Sequence, residues 1–278
     1  MLLATLLALG AAVLHAGWNL VAKRAAGDIY MALWAQFFMG AMISLPLMIG
    51  YQLIWGMPWQ GYLWAAVSGC IHLPYVWLLA RAYTVGDFSV SYPVARGGGA
   101  ALAAVCGVVF LRDHLTLWEI VGICIVVCGL ALLAYGTTGV HIATALLLAG
   151  AIGLYTTADA NGARLTDSVA YVFASSMGAM TSNTIFGLAT GRRAQMAETL
   201  RLNWRRSTVT GLASLVTYGM VLVAVRHAPV GYVTALRESS VVLAALAGWK
   251  LLGEGDHRRR LTAALVVFCG LLTLVLGR

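Results

Sequence analysis

Apolar residues run along this chain in stretches of helical length, broken by short polar punctuation, from one end to the other. No stretch alternates apolar and polar positions in the manner of a barrel strand. A helical run of about 20 residues crosses a hydrocarbon core of roughly 30 Å. Ten such spans are predicted, at 2–22, 30–54, 61–83, 88–111, 115–135, 140–160, 168–190, 207–226, 229–252 and 261–277. Most connections are short. The exception is GRRAQMAETLRLNWRRS at 191–207, basic and amphipathic, which is expected to lie along the membrane surface.

Composition fixes the class. Of 278 residues 61% are hydrophobic and 10% charged, against about a quarter charged in a soluble domain. An all-α integral membrane protein is expected. No segment outside the spans is large enough for a soluble catalytic or nucleic-acid-binding domain, so the net charge of +8 speaks of topology and anionic lipid. One side collects Lys23, Arg24, Arg81, Arg192, Arg193, Arg201, Arg205, Arg206 and Arg258 to Arg260; the other has Arg112, Arg164, Arg226 and Arg278. The positive-inside rule then puts loops 191–207 and 254–260 in the cytoplasm of a multi-pass plasma (inner) membrane protein, with both termini outside. The first span has no basic leader and no small-residue cleavage site, and reads as a retained helix. Cys70, Cys106, Cys124, Cys128 and Cys269 all fall within spans and are expected as buried small hydrophobes, without disulfide or metal. No cofactor is expected.

The chain repeats itself. A shift of 141 residues lays Arg96 on Arg237, Gly107 on Gly248, Leu111 on Leu252 and Cys128-Gly129-Leu130 on Cys269-Gly270-Leu271. About a dozen of 41 gapless positions agree. A shift of 140 relates the starts of the halves, with His15 facing Tyr155 and Asn19 facing Asp159. Units of 1–137 and 138–278 therefore carry five spans each. An odd number inserts the second half upside down, so two inverted five-helix repeats in one transport domain are predicted, the architecture of alternating access.

Polar residues inside the spans are costly and need a reason. Arg96 lies about eight residues into its span, about 12 Å deep at 1.5 Å per residue, and Arg237 sits equally deep. Each must turn inward. Either helix-end carbonyls satisfy them or Glu238 neutralises one of them, or they handle substrate or ions. Gly97, Gly98 and Gly99 stand where Glu238, Ser239 and Ser240 stand in the other half. They permit close packing, the favoured reading, or a break in the helix. His15, Trp18 and Asn19 share one face of the first span; Tyr155 and Asp159 share the matching face of the sixth. His72 and Tyr75, Tyr92, Tyr218 and Tyr232 add to a polar-aromatic cavity at the seam of the halves. Asp159 and Glu238 are the candidates to carry a coupling proton, although Asp159 is also placed to pair with Arg164. Trp55, Trp59, Trp64, Trp118 and Trp204 flank spans as interface anchors.

Four segments carry a family resemblance: HAGWNLVAKR, RAYTVGDFSVSYPVARG, FLRDHLTLWEIVGICIVVCGLALL and the second copy LLGEGDHRRRLTAALVVFCGLLTL. Over its full length the chain resembles the EamA-like branch of the drug/metabolite transporter superfamily. The resemblance implies a ten-helix, two-repeat carrier of small metabolites, often an exporter of amino acids or related compounds. It also implies a central cavity lined by the first, third, fourth, sixth, eighth and ninth helices. Two departures stand out: DHRRR follows the second Gly-Glu where relatives carry threonines, and the charge count puts the termini outside where relatives have them inside.

The expected function is secondary transport of a small amphipathic metabolite, such as an amino acid, by alternating access. Arg96 and Arg237 would supply positive field for a carboxylate; His15, Trp18, Asn19, His72, Tyr75, Tyr92, Tyr155, Tyr218 and Tyr232 would shape the pocket. The expected partners are a small-molecule substrate and the lipid bilayer, without nucleic acid; the oligomeric state is left open. No Walker motif occurs, so no ATPase is implied. The chain is not expected to be an enzyme. The competing classes are a membrane-embedded enzyme, for which no gathered metal ligands or nucleophile elbow occur, and a passive channel, for which no filter sequence occurs.

Overall fold

The structure, a computed structural model, describes residues 2–25, 27–111, 116–166, 168–224, 227, 233 and 236–276. Among the described residues there are ten helices: α1 Leu2–Lys23, α2 Ile29–Ile54, α3 Trp59–Val85, α4 Phe88–Leu111, α5 Leu117–Ala134, α6 Gly139–Leu165, α7 Ser168–Ala189, α8 Arg193–Ala224, α9 Ser240–Leu252 and α10 His257–Leu276. Five of them, α1, α2, α3, α5 and α6, are long and apolar enough to cross a membrane. Large apolar side chains such as Leu6, Leu53, Phe110, Leu147 and Val209 are exposed on the outside of the bundle. Such a surface suits a multi-pass protein whose solvent is lipid.

Local chemistry starts and stops these helices. Asp28 caps α2, accepting from the N–H groups of Tyr30 and Met31. Thr116 and Glu119 form a capping box on α5. Gly253, at φ 68°, ends α9 in the left-handed conformation that glycine adopts without strain.

Two expectations are corrected, and of the two readings of the triple glycine the favoured one, packing, is what the structure shows. The segment at 191–207 is no separate surface helix, because α8 runs unbroken from Arg193 through the span to Ala224. Met196 is buried on this extension and packs toward Gly187 of α7. The five cysteines are free, but Cys70, Cys124, Cys128 and Cys269 are exposed on the outside of the bundle rather than buried. Where lipid is the solvent, an apolar thiol loses nothing by facing it. The triple glycine does not break its helix: α4 is continuous through Gly97, Gly98 and Gly99. A Cβ on each would press on Val267, Ala149 and Ile152 respectively, so these glycines admit α6 and α10 against α4. The ninth span is described as a helix only from Ser240; its first half lies largely outside the described residues.

Packing partners follow a rule. α3 packs along α6 and α7, and α8 packs along α1 and α2. α4 lies on α6 as α9 lies on α1, while α2 meets α7, α4 meets α9 and α5 meets α10. Exchanging each helix for the one five places away turns this set of pairs into itself.

The register obeys the same exchange. A Cβ on Gly129 would stand 2.9 Å from Val267 N and 3.2 Å from Ala263 O; one on Gly270 would stand 2.7 Å from Val126 N and 2.9 Å from Gly122 O. Each partner is 141 positions from its counterpart, the self-complementary pattern of a two-fold contact. Because Gly122 meets Gly270 while Gly129 meets Ala263, α5 and α10 run antiparallel. Gly61 meets Thr166 and Gly86 meets His141, so α3 and α6 are antiparallel too. Gly69 lies on Gly178 as Gly211 lies on Gly40.

The turns after α1, α3, α5, α7 and α9 converge at one end of the bundle. There Lys23 donates to the carbonyls of Tyr83 and Gly86, and Arg24 to that of Leu251. Arg192 reaches Asp28 at 3.4 Å, and the Arg259 guanidinium lies over the Tyr135 ring. The residues counted as one basic group in the sequence thus gather at a basic end.

Candidate functional site

Two adjoining cavities lie between the helices. The smaller, about 300 Å³ with its open side included, is lined by His15, Asn19, Tyr75, Leu79, Tyr83, Tyr92, Ala95, Arg96, Ile152 and Tyr155. The larger, about 840 Å³ with its open mouth included, is lined by His15, Trp18, Gln36, Phe37, His72, Tyr75, Tyr155, Asp159, Ser175, Ser176, Thr217 and Tyr218 among others. His15, Tyr75 and Tyr155 belong to both and form the wall between them.

Helical spacing places these side chains. His15 and Trp18 share a face of α1 and meet edge to face, 5.1 Å between ring centres. His15 also meets Tyr92 of α4 at 6.0 Å. Tyr155 of α6 lies 4.4 Å from the His72 ring and 5.1 Å from Tyr75, both of α3. Such aromatic pairs contribute about 0.5–1.5 kcal/mol each beyond area burial, enough to hold this shared wall in shape.

Hydrogen bonds sort the polar members by availability. Asn19 is committed, because its Nδ2 donates to the His15 carbonyl and its Oδ1 accepts from the Tyr83 hydroxyl at 2.7 Å. His72 Nδ1 lies 2.8 Å from the Ser68 carbonyl oxygen, an acceptor only, so Nδ1 is the donor and Nε2 of the neutral ring is left to accept. Asp159 accepts from the Tyr171 hydroxyl at 2.9 Å across the α6–α7 interface. Arg164, its alternative partner, is exposed. The indole N–H of Trp18 and the amide nitrogen of Gln36 are buried without a hydrogen-bond partner, both on the wall of the larger cavity.

Arg96 extends from α4 to Glu238, just ahead of α9, in a buried ion pair. Arg237 donates to the same carboxylate oxygen, Glu238 Oε1, at 3.1 Å. The Glu238 side chain is 3% exposed. One carboxylate therefore serves both arginines of the repeat. Around it the helix tightens: Ser239 N–H bonds Leu236 O at 3.1 Å and Val242 N–H bonds Ser239 O at 3.0 Å, both three-residue rather than four-residue bonds. Arg96 lines the smaller cavity, and Arg237 joins it through Glu238. Tyr232 lies outside the described residues.

The two ends of the bundle differ. At the basic end Glu254 accepts from the N–H groups of Phe88 at 2.6 Å and Ser89 at 2.8 Å, capping α4 with a carboxylate from the α9–α10 turn. Arg260 bridges Asp87 at 2.6 Å and Ser89 Oγ at 2.9 Å. His141 and Ser91 close the same region at 2.9 Å. The larger cavity draws its walls from both directions: Trp18 near the C-terminus of α1 and Gln36 near the N-terminus of α2 lie toward this network, while Asp159 near the C-terminus of α6 and Val172 near the N-terminus of α7 lie toward the opposite end.

Sequence reasoning overlooked Gln36, Phe37, Tyr83 and the serine pair Ser175 and Ser176. Gln36 had a signal, a polar amide within an apolar run. Tyr83 had none, since it sits near the end of its span and reads as an interface residue.

No protein-family model matches the chain, and no curated protein does. A solved structure described only as a crystal structure of a protein is similar to it, with a TM-score of 0.59 and 16% identity over 98% of this chain and 96% of that one. At that identity the likeness concerns the fold alone.

Proposed function

We propose that this chain is a secondary transporter of a small amphipathic metabolite, such as an amino acid, working by alternating access between two inverted five-helix repeats. The observation that carries the reading is the pair of adjoining polar-aromatic cavities, walled by both sets of five helices, beside a polar network at the basic end. The exchange of packing partners and the antiparallel α5–α10 pair support two oppositely oriented halves. Two such halves can trade conformations, and that trade moves the opening from one end to the other. The resemblance to EamA-like drug/metabolite transporters points the same way and makes export the favoured direction.

In this reading Arg96 presents positive charge to a carboxylate, while Trp18, Tyr75, Tyr92, Tyr155 and Tyr218 hold an apolar body. Asp159 and Glu238 are the proton-coupling candidates. The basic end faces the cytoplasm of the plasma membrane. A thermal-shift screen of purified protein against amino acids finds the cargo, since a binder stabilises by mass action. Counterflow in proteoliposomes then tests the function: saturable exchange, lost in Arg96→Ala, is expected. Flux without saturation or counterflow favours a channel, and a covalently altered product favours an enzyme.

A further inference from the structure

We infer that Glu238 stands in for the carboxylate of the cargo, and that the Arg96 cavity selects molecules carrying a single negative charge. The inference deepens the carrier reading and rests on it. Two guanidiniums face one carboxylate here, so among the described residues the cluster keeps one positive charge without a paired counter-charge. Buried charge is tolerated when balanced, and one further monoanion balances it.

The hydrogen bonding is unsaturated in the matching way. Both arginines bond Glu238 Oε1, while Glu238 Oε2, Arg96 Nε and Arg237 Nε are buried without partners. A guanidinium offers five donors in a fork suited to a carboxylate. A cargo carboxylate in the smaller cavity meets Arg96 and competes with Glu238, which keeps Arg237 as its partner. The three-residue bonds from Ser239 to Leu236 and from Val241 to Glu238 set this stretch apart from the continuous helix that holds the equivalent glycines of α4. Asp159 stands one helical turn past Tyr155 in the larger cavity, so a second negative charge on the cargo meets another carboxylate. Displacement also gives a reason for coupling. Arg96–Glu238 joins α4 of the first half to the start of α9 in the second, and cargo that breaks the pair loosens one half from the other.

The test is isothermal titration of purified full-length protein with benzoate and with phthalate, at a pH where both acids are fully ionised. Wild type is expected to bind benzoate at least about tenfold tighter than phthalate. Glu238→Gln removes the internal competitor and leaves two positive charges, so the benzoate-to-phthalate preference is expected to fall by about tenfold or more. Equal affinities in wild type, binding of neither anion, or an unchanged preference in a Glu238→Gln protein that elutes as wild type each overturn the inference. Where that variant does not fold, the wild-type ratio alone decides. Counterflow is a separate readout: saturable, Arg96-dependent exchange together with equal affinities sinks charge selection and leaves the carrier standing.

Discussion

Arg96 is followed by three glycines and Arg237 by Glu238, Ser239 and Ser240, at equivalent places in the two halves. The glycine side became a packing surface: α4 stays helical and lets Val267, Ala149 and Ile152 close against its backbone. The Glu-Ser-Ser side became an electrostatic one, with a tightened backbone and a buried carboxylate holding both arginines. A repeat with two identical halves would have put two unpaired guanidiniums face to face. The difference at three positions removes that conflict: one side packs and the other carries the carboxylate.

Breaking the electrostatic side has the larger effect. Glu238→Ala strands two buried guanidiniums and is expected to destabilise by about 3–5 kcal/mol, read by denaturant unfolding in detergent. Gly97→Ala, its packing counterpart, presses a methyl onto Val267 Cγ1 at 2.5 Å and is expected to cost about 1–3 kcal/mol. Equal losses would mean that the charge cluster contributes no more than packing.

A second comparison sharpens the symmetry argument. Gly178 and Gly40 occupy corresponding crossings, yet a Cβ on Gly178 runs into the Ala65 carbonyl oxygen, whereas one on Gly40 has ordinary contact with Gly211 at 3.6 Å. Gly178→Ala is expected to cost about 1–3 kcal/mol. Gly40→Ala is expected to be neutral or to stabilise by up to about 1 kcal/mol, since alanine is the better helix former. The smallest destabilisation is at Tyr83→Phe, which removes the hydrogen bond to Asn19 and is expected to cost about 0.5–1.5 kcal/mol while leaving the cavity walls in place.

Which features were legible in the sequence follows from what lipid does and does not reveal. A guanidinium in an apolar run is conspicuous, so Arg96 and Arg237 stood out, and the 141-residue offset that relates them reappears in the contacts of Gly129 and Gly270. That Glu238 would serve both arginines was not legible, because sharing depends on how α4 and the start of α9 approach each other. The cysteines were misread because both faces of a membrane helix are apolar, so hydrophobicity carries no information about which way a thiol points. The basic stretch at 191–207 was separated from the span after it because composition changes there, although the backbone hydrogen bonding of α8 does not. Glu254 was seen only as part of a motif; its capping of α4 joins residues more than 160 positions apart.

The central claim is that the cavity is exposed to each side of the membrane in turn. Its most direct measurement places a single cysteine at Ser175, on the wall of the larger cavity, in a protein whose five native cysteines are replaced. Membrane-impermeant maleimide is then applied to oriented vesicles from either face. Alternating access predicts modification from both faces, with cargo shifting the ratio of the two rates. Modification from one face only, whatever cargo is present, would contradict it.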